Sequence, residues 1–117
     1  DVVYQYETAL RLTERDVAFG ISNSGRSLNV VHSLKLAKEQ GAVTICITQT
    51  NRSPLIKLTD IGLFVTPIDL TIGRDSVTKR VTELAILESL YLGIINKGTK
   101  DYKQMLQNTM LSSELNK

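Results

Sequence analysis

Three short stretches of this sequence, apolar along nearly their whole length, constrain its fold more than any other feature. Val17–Ile21, Val43–Thr48 and Ile61–Val65 carry no charged residue, are too short for helices, and are bounded by turn-forming residues. Such runs read as strands of a parallel sheet covered by helices on both faces. Helical patterns lie between them. From Ser27 to Gln40 the apolar Val30, Val31, Leu34 and Ala37 share one face; Ser27 is placed as N-cap and Gly41 as the stop. Ser53 is placed to cap a short helix with Pro54 at its first position. The predicted class is α/β, a three-layer sandwich around a parallel sheet.

Residues 2–12 read as a first helix, with Val2, Tyr6, Ala9 and Leu10 near one face. Thr66–Arg74 reads as a loop. Ser76–Asn96 is the longest helix, its apolar Val77, Val81, Leu84, Leu87, Tyr91, Leu92 and Ile95 recurring at threes and fours before Gly98 ends it. Tyr102, Met105, Leu106 and Met110 predict a final short amphipathic helix, and the polar Ser112–Lys117 a frayed end. A length of 117 residues fits one domain. Three strands nevertheless make a thinner sheet than the roughly five or six usual for folds of this kind.

Composition removes several function classes. Fourteen basic against twelve acidic side chains leave a net charge of +2, without the clustered basic face expected of a nucleic-acid binder. No apolar run approaches the roughly 18 residues of a membrane span, and the opening Asp1-Val2-Val3-Tyr4 is not a secretory signal. Cys46 is the single cysteine and sits inside an apolar run, so it reads as a buried, inert thiol in a reducing, cytoplasmic setting. His32 is the single histidine and lies opposite the apolar face of its helix, which predicts an exposed and structurally indifferent side chain. No metal site and no cofactor are expected.

Chemistry concentrates in Ile21-Ser22-Asn23-Ser24-Gly25-Arg26-Ser27-Leu28, where a strand's carboxyl end runs into a helix N-terminus. In open α/β sheets ligands bind at that end. The first helical turn leaves N–H groups without intrahelical partners and carries the positive end of the helix dipole, a combination suited to phosphate. Ser22, Ser24 and Ser27 offer hydroxyl donors on short side chains, and Asn23 adds an amide. Gly25 allows a tight turn at positive φ and a close approach by a ligand. Serines also make turns and caps with no ligand present, so both readings stand on spacing alone. The loop is neither a P-loop nor a Gly-x-Gly-x-x-Gly dinucleotide turn.

The pattern Ser22-x-Ser24-Gly25-x-Ser27 after an apolar strand resembles the signature of sugar isomerase (SIS) domains, which bind phosphosugars. Asp16-Val17, Leu36-Ala37-Lys38 before Gly41-Ala42, Ile45-x-Ile47-Thr48, and Ser53-Pro54-Leu55 before Asp60-Ile61 fall where such domains carry comparable residues. Gly73-Arg74-Asp75-Ser76, leading into Arg80-Val81-Thr82-Glu83-Leu84, is most similar to the effector domain of bacterial RpiR-type transcriptional regulators. The resemblance covers roughly residues 1–97. It implies a flavodoxin-like fold in which Ser22, Asn23, Ser24, Gly25 and Ser27 hold the phosphate of a sugar phosphate. By the same resemblance Arg74 and Ser76 flank the sugar, and Glu83 takes a position that often faces the ligand. A solvated Glu83 is the plainer alternative.

Family members open with a further strand, helix and strand, and RpiR-type regulators with a helix-turn-helix domain; residues 1–12 match the segment just after the former. The chain therefore reads as a partial SIS domain spanning 1–117, with DNA contacted only through a domain outside it. Without the preceding strand, Val17–Ile21 would present an unpaired edge, which predicts a homodimer or exchanged oligomer. Two functions compete. One is a sensor whose sugar phosphate shifts a dimer's geometry. The other is a phosphosugar isomerase, with Glu83 or Glu88 as base; it is disfavoured because no acid–base pair accompanies the serine turn. A ligand-free interaction domain is a third, weaker reading.

Overall fold

The computed structural model describes residues 1–65, 77–98 and 100–115. The chain divides into two compact units, Asp1–Asp75 and Ser76–Lys117. In the first, α1 (Val2–Leu10), β1 (Val17–Ile21), α2 (Leu28–Glu39), β2 (Val43–Thr48), α3 (Pro54–Leu58) and β3 (Ile61–Phe64) follow one another. The second holds α4 (Val77–Lys97) and α5 (Lys100–Leu115). The loop expected over Thr66–Arg74 lies outside the described residues.

The strands form one parallel sheet in the order β1-β2-β3. Val17 pairs with Val43 and Ile21 with Ile47, while Ile45 pairs with Ile61 and Thr48 with Phe64. Helix α2 lies on β1 and β2, and the core sits beneath it. Leu34, Cys46 and Leu55 form one buried cluster, with Val30, Val31 and Ile56 packed around it. A second cluster, Ala9, Ala37 and Ala42, joins α1 to α2 through side chains small enough for the two helices to approach closely. Gly20 serves the same closeness: a Cβ there would run into Leu34 Cδ1 and stand 2.9 Å from Val30 Cγ1. Tyr6 reinforces the joint, donating its hydroxyl to Asn29 Oδ1 at 3.2 Å. It also meets the His32 ring edge-on at 4.8 Å, so His32 is exposed as expected but not without a structural partner.

Burial of the first strand departs from the sequence reading. Val17, Phe19 and Ile21 are 52%, 45% and 38% exposed, and Val43 and Ile61 are exposed as well. Side chains alternate across a strand, and Gly20 faces α2, so the odd-numbered residues of β1 turn to the opposite face. The backbone alternates too. Val43 N–H donates to Asp16 O and Ser22 N–H to Ile47 O, so the even-numbered positions bond to β2 while Val17, Phe19 and Ile21 direct their N–H and C=O groups to the open edge.

The far end of the sheet is closed by Asp60. Its carboxylate accepts from Thr44 N–H at 2.9 Å, Thr44 Oγ1 at 3.0 Å and Lys38 Nζ at 3.0 Å. The Thr44 amide first, then Lys38 and the Thr44 hydroxyl, hold the acid at a pKa of about 2 against an ordinary 3.8. In the second unit, α5 runs through Leu115 rather than fraying from Ser112, and the Ser112 and Ser113 hydroxyls bond back to the carbonyls of Thr109 and Met110. Among the described residues no helix is long and apolar enough to cross a membrane.

Candidate functional site

The residues between β1 and α2 form a turn anchored on two sides. Ser22 is buried; its N–H continues the ladder to Ile47 O, and its carbonyl accepts from Gly25 N–H at 3.0 Å. Asn23 is tied to the end of β2, its carbonyl accepting from Thr48 Oγ1 and from Gln49 N–H, each at 3.1 Å. Gly25 is tied to α3, its carbonyl accepting from Leu55 N–H at 3.2 Å. The turn is thus a rigid extension of the sheet.

Gly25 adopts φ +62°, a region L-residues rarely enter. The room left by its absent side chain goes to the protein itself and not to a ligand. A Cβ at this position would run into Ser53 Oγ and stand 2.5 Å from Ser53 Cβ. Ser53 is buried, and its hydroxyl caps α3 by accepting from Ile56 N–H at 3.4 Å. The Ser53-Pro54 signal foretold that cap; its second task, filling the space under Gly25, is visible only in three dimensions.

Ser24 and Ser27 are exposed. Ser24 Oγ accepts from Arg26 N–H at 3.3 Å, which leaves its own proton free to be donated outward. Ser27 occupies the N-cap of α2, as its position in the sequence predicts, but its side chain makes no capping hydrogen bond. Its backbone carbonyl accepts from Val31 N–H at 2.9 Å and begins the helix. No acidic residue stands in the first turn of α2. The start of α2 therefore presents amide donors, the positive end of the helix dipole and an unspent hydroxyl, with no carboxylate to oppose an anion.

The predicted site residues divide into three sets. Ser22, Asn23, Ser24, Gly25 and Ser27 share this one turn. Arg74 and Ser76 lie outside the described residues. Glu83 is half-buried on α4, in the second unit. Thr48, Ser53 and Gln49 brace or border the turn and were not singled out as site residues, since nothing local in the sequence brings them to Asn23 or Gly25.

A cavity of about 490 Å³ lies elsewhere, along the flank of β1 between α1 and α2, with Tyr4, Thr8, Phe19, Ile21 and Ser33 in its lining. It has no charged side chain with which to hold a dianion. Among the described residues no group of three or more His, Cys, Asp or Glu side chains is placed to hold a metal ion.

Comparison with known proteins gives this turn its context. Residues 2–92 match the SIS domain family. An HTH-type transcriptional regulator of Caldanaerobacter subterraneus subsp. tengcongensis is 36% identical over 93% of this chain and 39% of its own length. The HTH-type transcriptional regulator RpiR of Escherichia coli K12 is 31% identical over 87% of this chain and 34% of its own. An N-acetylmuramic acid 6-phosphate etherase of Enterococcus faecalis is 31% identical over 92% of this chain and 36% of its own. Among solved structures, the Vibrio vulnificus NanR protein complexed with ManNAc-6P superposes with a TM-score of 0.79 at 23% identity, over 96% of this chain and 42% of that one. The chain thus spans between a third and two fifths of the length of these relatives. With its parallel sheet, its serine turn at the strand-to-helix junction and a match over residues 2–92, the chain belongs to the SIS domain family, and its relatives include RpiR-type transcriptional regulators.

Proposed function

We propose that this chain is the sugar-phosphate-binding part of an effector domain in an RpiR-type transcriptional regulator, acting where DNA is at hand and Cys46 stays reduced. The observation that carries the reading is the start of α2: Ser27 stands at the N-cap with its hydroxyl unspent, after a turn that brings Ser22, Asn23 and Ser24 to the same junction. A phosphate dianion in front of α2 would take amide protons from the first helical turn and hydroxyl protons from Ser24 and Ser27. The turn is already braced by β2 and α3, so little ordering accompanies binding.

The relatives favour regulation, and NanR was solved with a sugar phosphate bound. A regulator needs its ligand to bind two arrangements of the protein unequally, and the DNA-contacting part would lie outside this chain. The test is thermal melting with hexose and pentose phosphates. Saturating sugar phosphate should raise the melting temperature of the wild type, and Ser24→Ala with Ser27→Ala should abolish the rise. Stabilisation that survives both changes would move the site elsewhere.

The etherase relative supports a second reading, an enzyme acting on a phosphorylated sugar. It predicts turnover that Glu83→Gln removes. The sensor predicts binding without conversion.

A further inference from the structure

Gln49 is the first residue beyond β2, and its N–H donates to the carbonyl of Asn23 at 3.1 Å. Thr48 Oγ1 donates to the same carbonyl, so the residue is held against the serine turn from the neighbouring strand. Its side-chain Nε2 is buried and has no hydrogen-bond partner, the one such side-chain atom among the described residues. Buried polar nitrogens are nearly always paired, because an unpaired one forfeits its hydration for nothing. An amide nitrogen can only donate, so the missing partner is an acceptor oxygen.

We infer that Gln49 is a specificity-determining residue that donates from Nε2 to an oxygen of the sugar moiety, not of the phosphate. The inference rests on the function proposed above. Helix α2 and its amides follow β1, whereas Gln49 ends β2, one strand spacing (about 4.8 Å) along the same carboxyl edge. A ligand whose phosphate sits before α2 has its phosphate oxygens served by Ser24, Ser27 and the helix amides. Its carbon chain then runs over the end of β2, where a neutral donor reads a hydroxyl or carbonyl oxygen. Free inorganic phosphate has no such oxygen to offer there. The unpaired amide is a cost the ligand-free fold carries and the bound sugar relieves.

The experiment measures the affinity of the chain for inorganic phosphate, glucose 6-phosphate, N-acetylmannosamine 6-phosphate and ribose 5-phosphate, in the wild type and in Gln49→Met. Methionine keeps the length of the side chain and removes the donor. The expected result is a wild type that prefers at least one sugar phosphate over inorganic phosphate. Gln49→Met should lose about tenfold for that sugar phosphate, equivalent to about 1.4 kcal/mol, and nothing for inorganic phosphate. The ligand-free variant should melt at or above the wild type, since a buried unpaired donor has been replaced by apolar surface. Unchanged affinity for every ligand would overturn the inference while leaving the serine turn as the site. Equal losses for sugar phosphate and inorganic phosphate, or a ligand-free variant that melts well below the wild type, would assign Gln49 to the scaffold. A wild type with no preference for any sugar phosphate would end the proposed function itself, a result read before any variant is made.

Discussion

At Gly25 the backbone stands at φ +62° and Ser53 occupies the space that a side chain would take. Gly25→Ala should therefore cost about 1–2 kcal/mol from the left-handed backbone, with a further loss from the contact with Ser53. Chemical denaturation measures the sum, and a variant as stable as the wild type would contradict the geometry. Asp60 makes the complementary case at the other end of the sheet. Its carboxylate is held at about 2, below the ordinary 3.8, so the stability it contributes is fully present above 3.8 and is lost as pH falls through about 2. Asp60→Asn should flatten that stretch of the stability–pH curve, read as urea midpoints across the window. A variant with the wild-type acid profile would show that the bonds to Thr44 and Lys38 contribute nothing. Both residues were partly legible in the sequence. Gly25 announced a positive φ, and Asp60 stood where a strand begins. Their partners Ser53 and Thr44 were not legible, because the contacts join residues that only the sheet brings together.

Elements were read more accurately than their surroundings. All three strands and the helices fell close to their expected places, because apolar runs and helical periodicity are local signals. Strand burial is not local. Val17–Ile21 has the sequence of a strand covered on both faces, but Val17, Phe19 and Ile21 turn to the face away from α2 and remain exposed, and strand order makes β1 an edge as well. The strand has neither the charge nor the proline that commonly protect such edges. The chain should accordingly associate as its concentration rises, and Phe19→Lys should suppress this. Sedimentation gives the answer; a monodisperse monomer at high concentration would show that the edge does not recruit a partner. The start of α2 teaches a related lesson. Ser27 was correctly placed as N-cap, yet its hydroxyl makes no cap bond, and that difference turns an ordinary helix start into a candidate anion site.

For the whole molecule, the family follows from residues 2–92 and the fold from the parallel sheet and its structural neighbours. Regulator and etherase relatives both match this chain, so the scaffold alone does not choose between the proposed sensor and an enzyme, and the fate of the ligand does. Under the sensor reading the chain returns its ligand unchanged, which is checked by recovering it after prolonged incubation and resolving its isomers. An altered product would favour the enzyme. The central claim is that a phosphate seats at the start of α2, and amide-resolved NMR during titration with a sugar phosphate tests it most directly. Saturable shifts should centre on the N–H groups of Gly25 to Val30, with Gln49 responding to sugar phosphate and not to inorganic phosphate. Shifts that leave those amides untouched and gather instead along the flank of β1 would contradict the account.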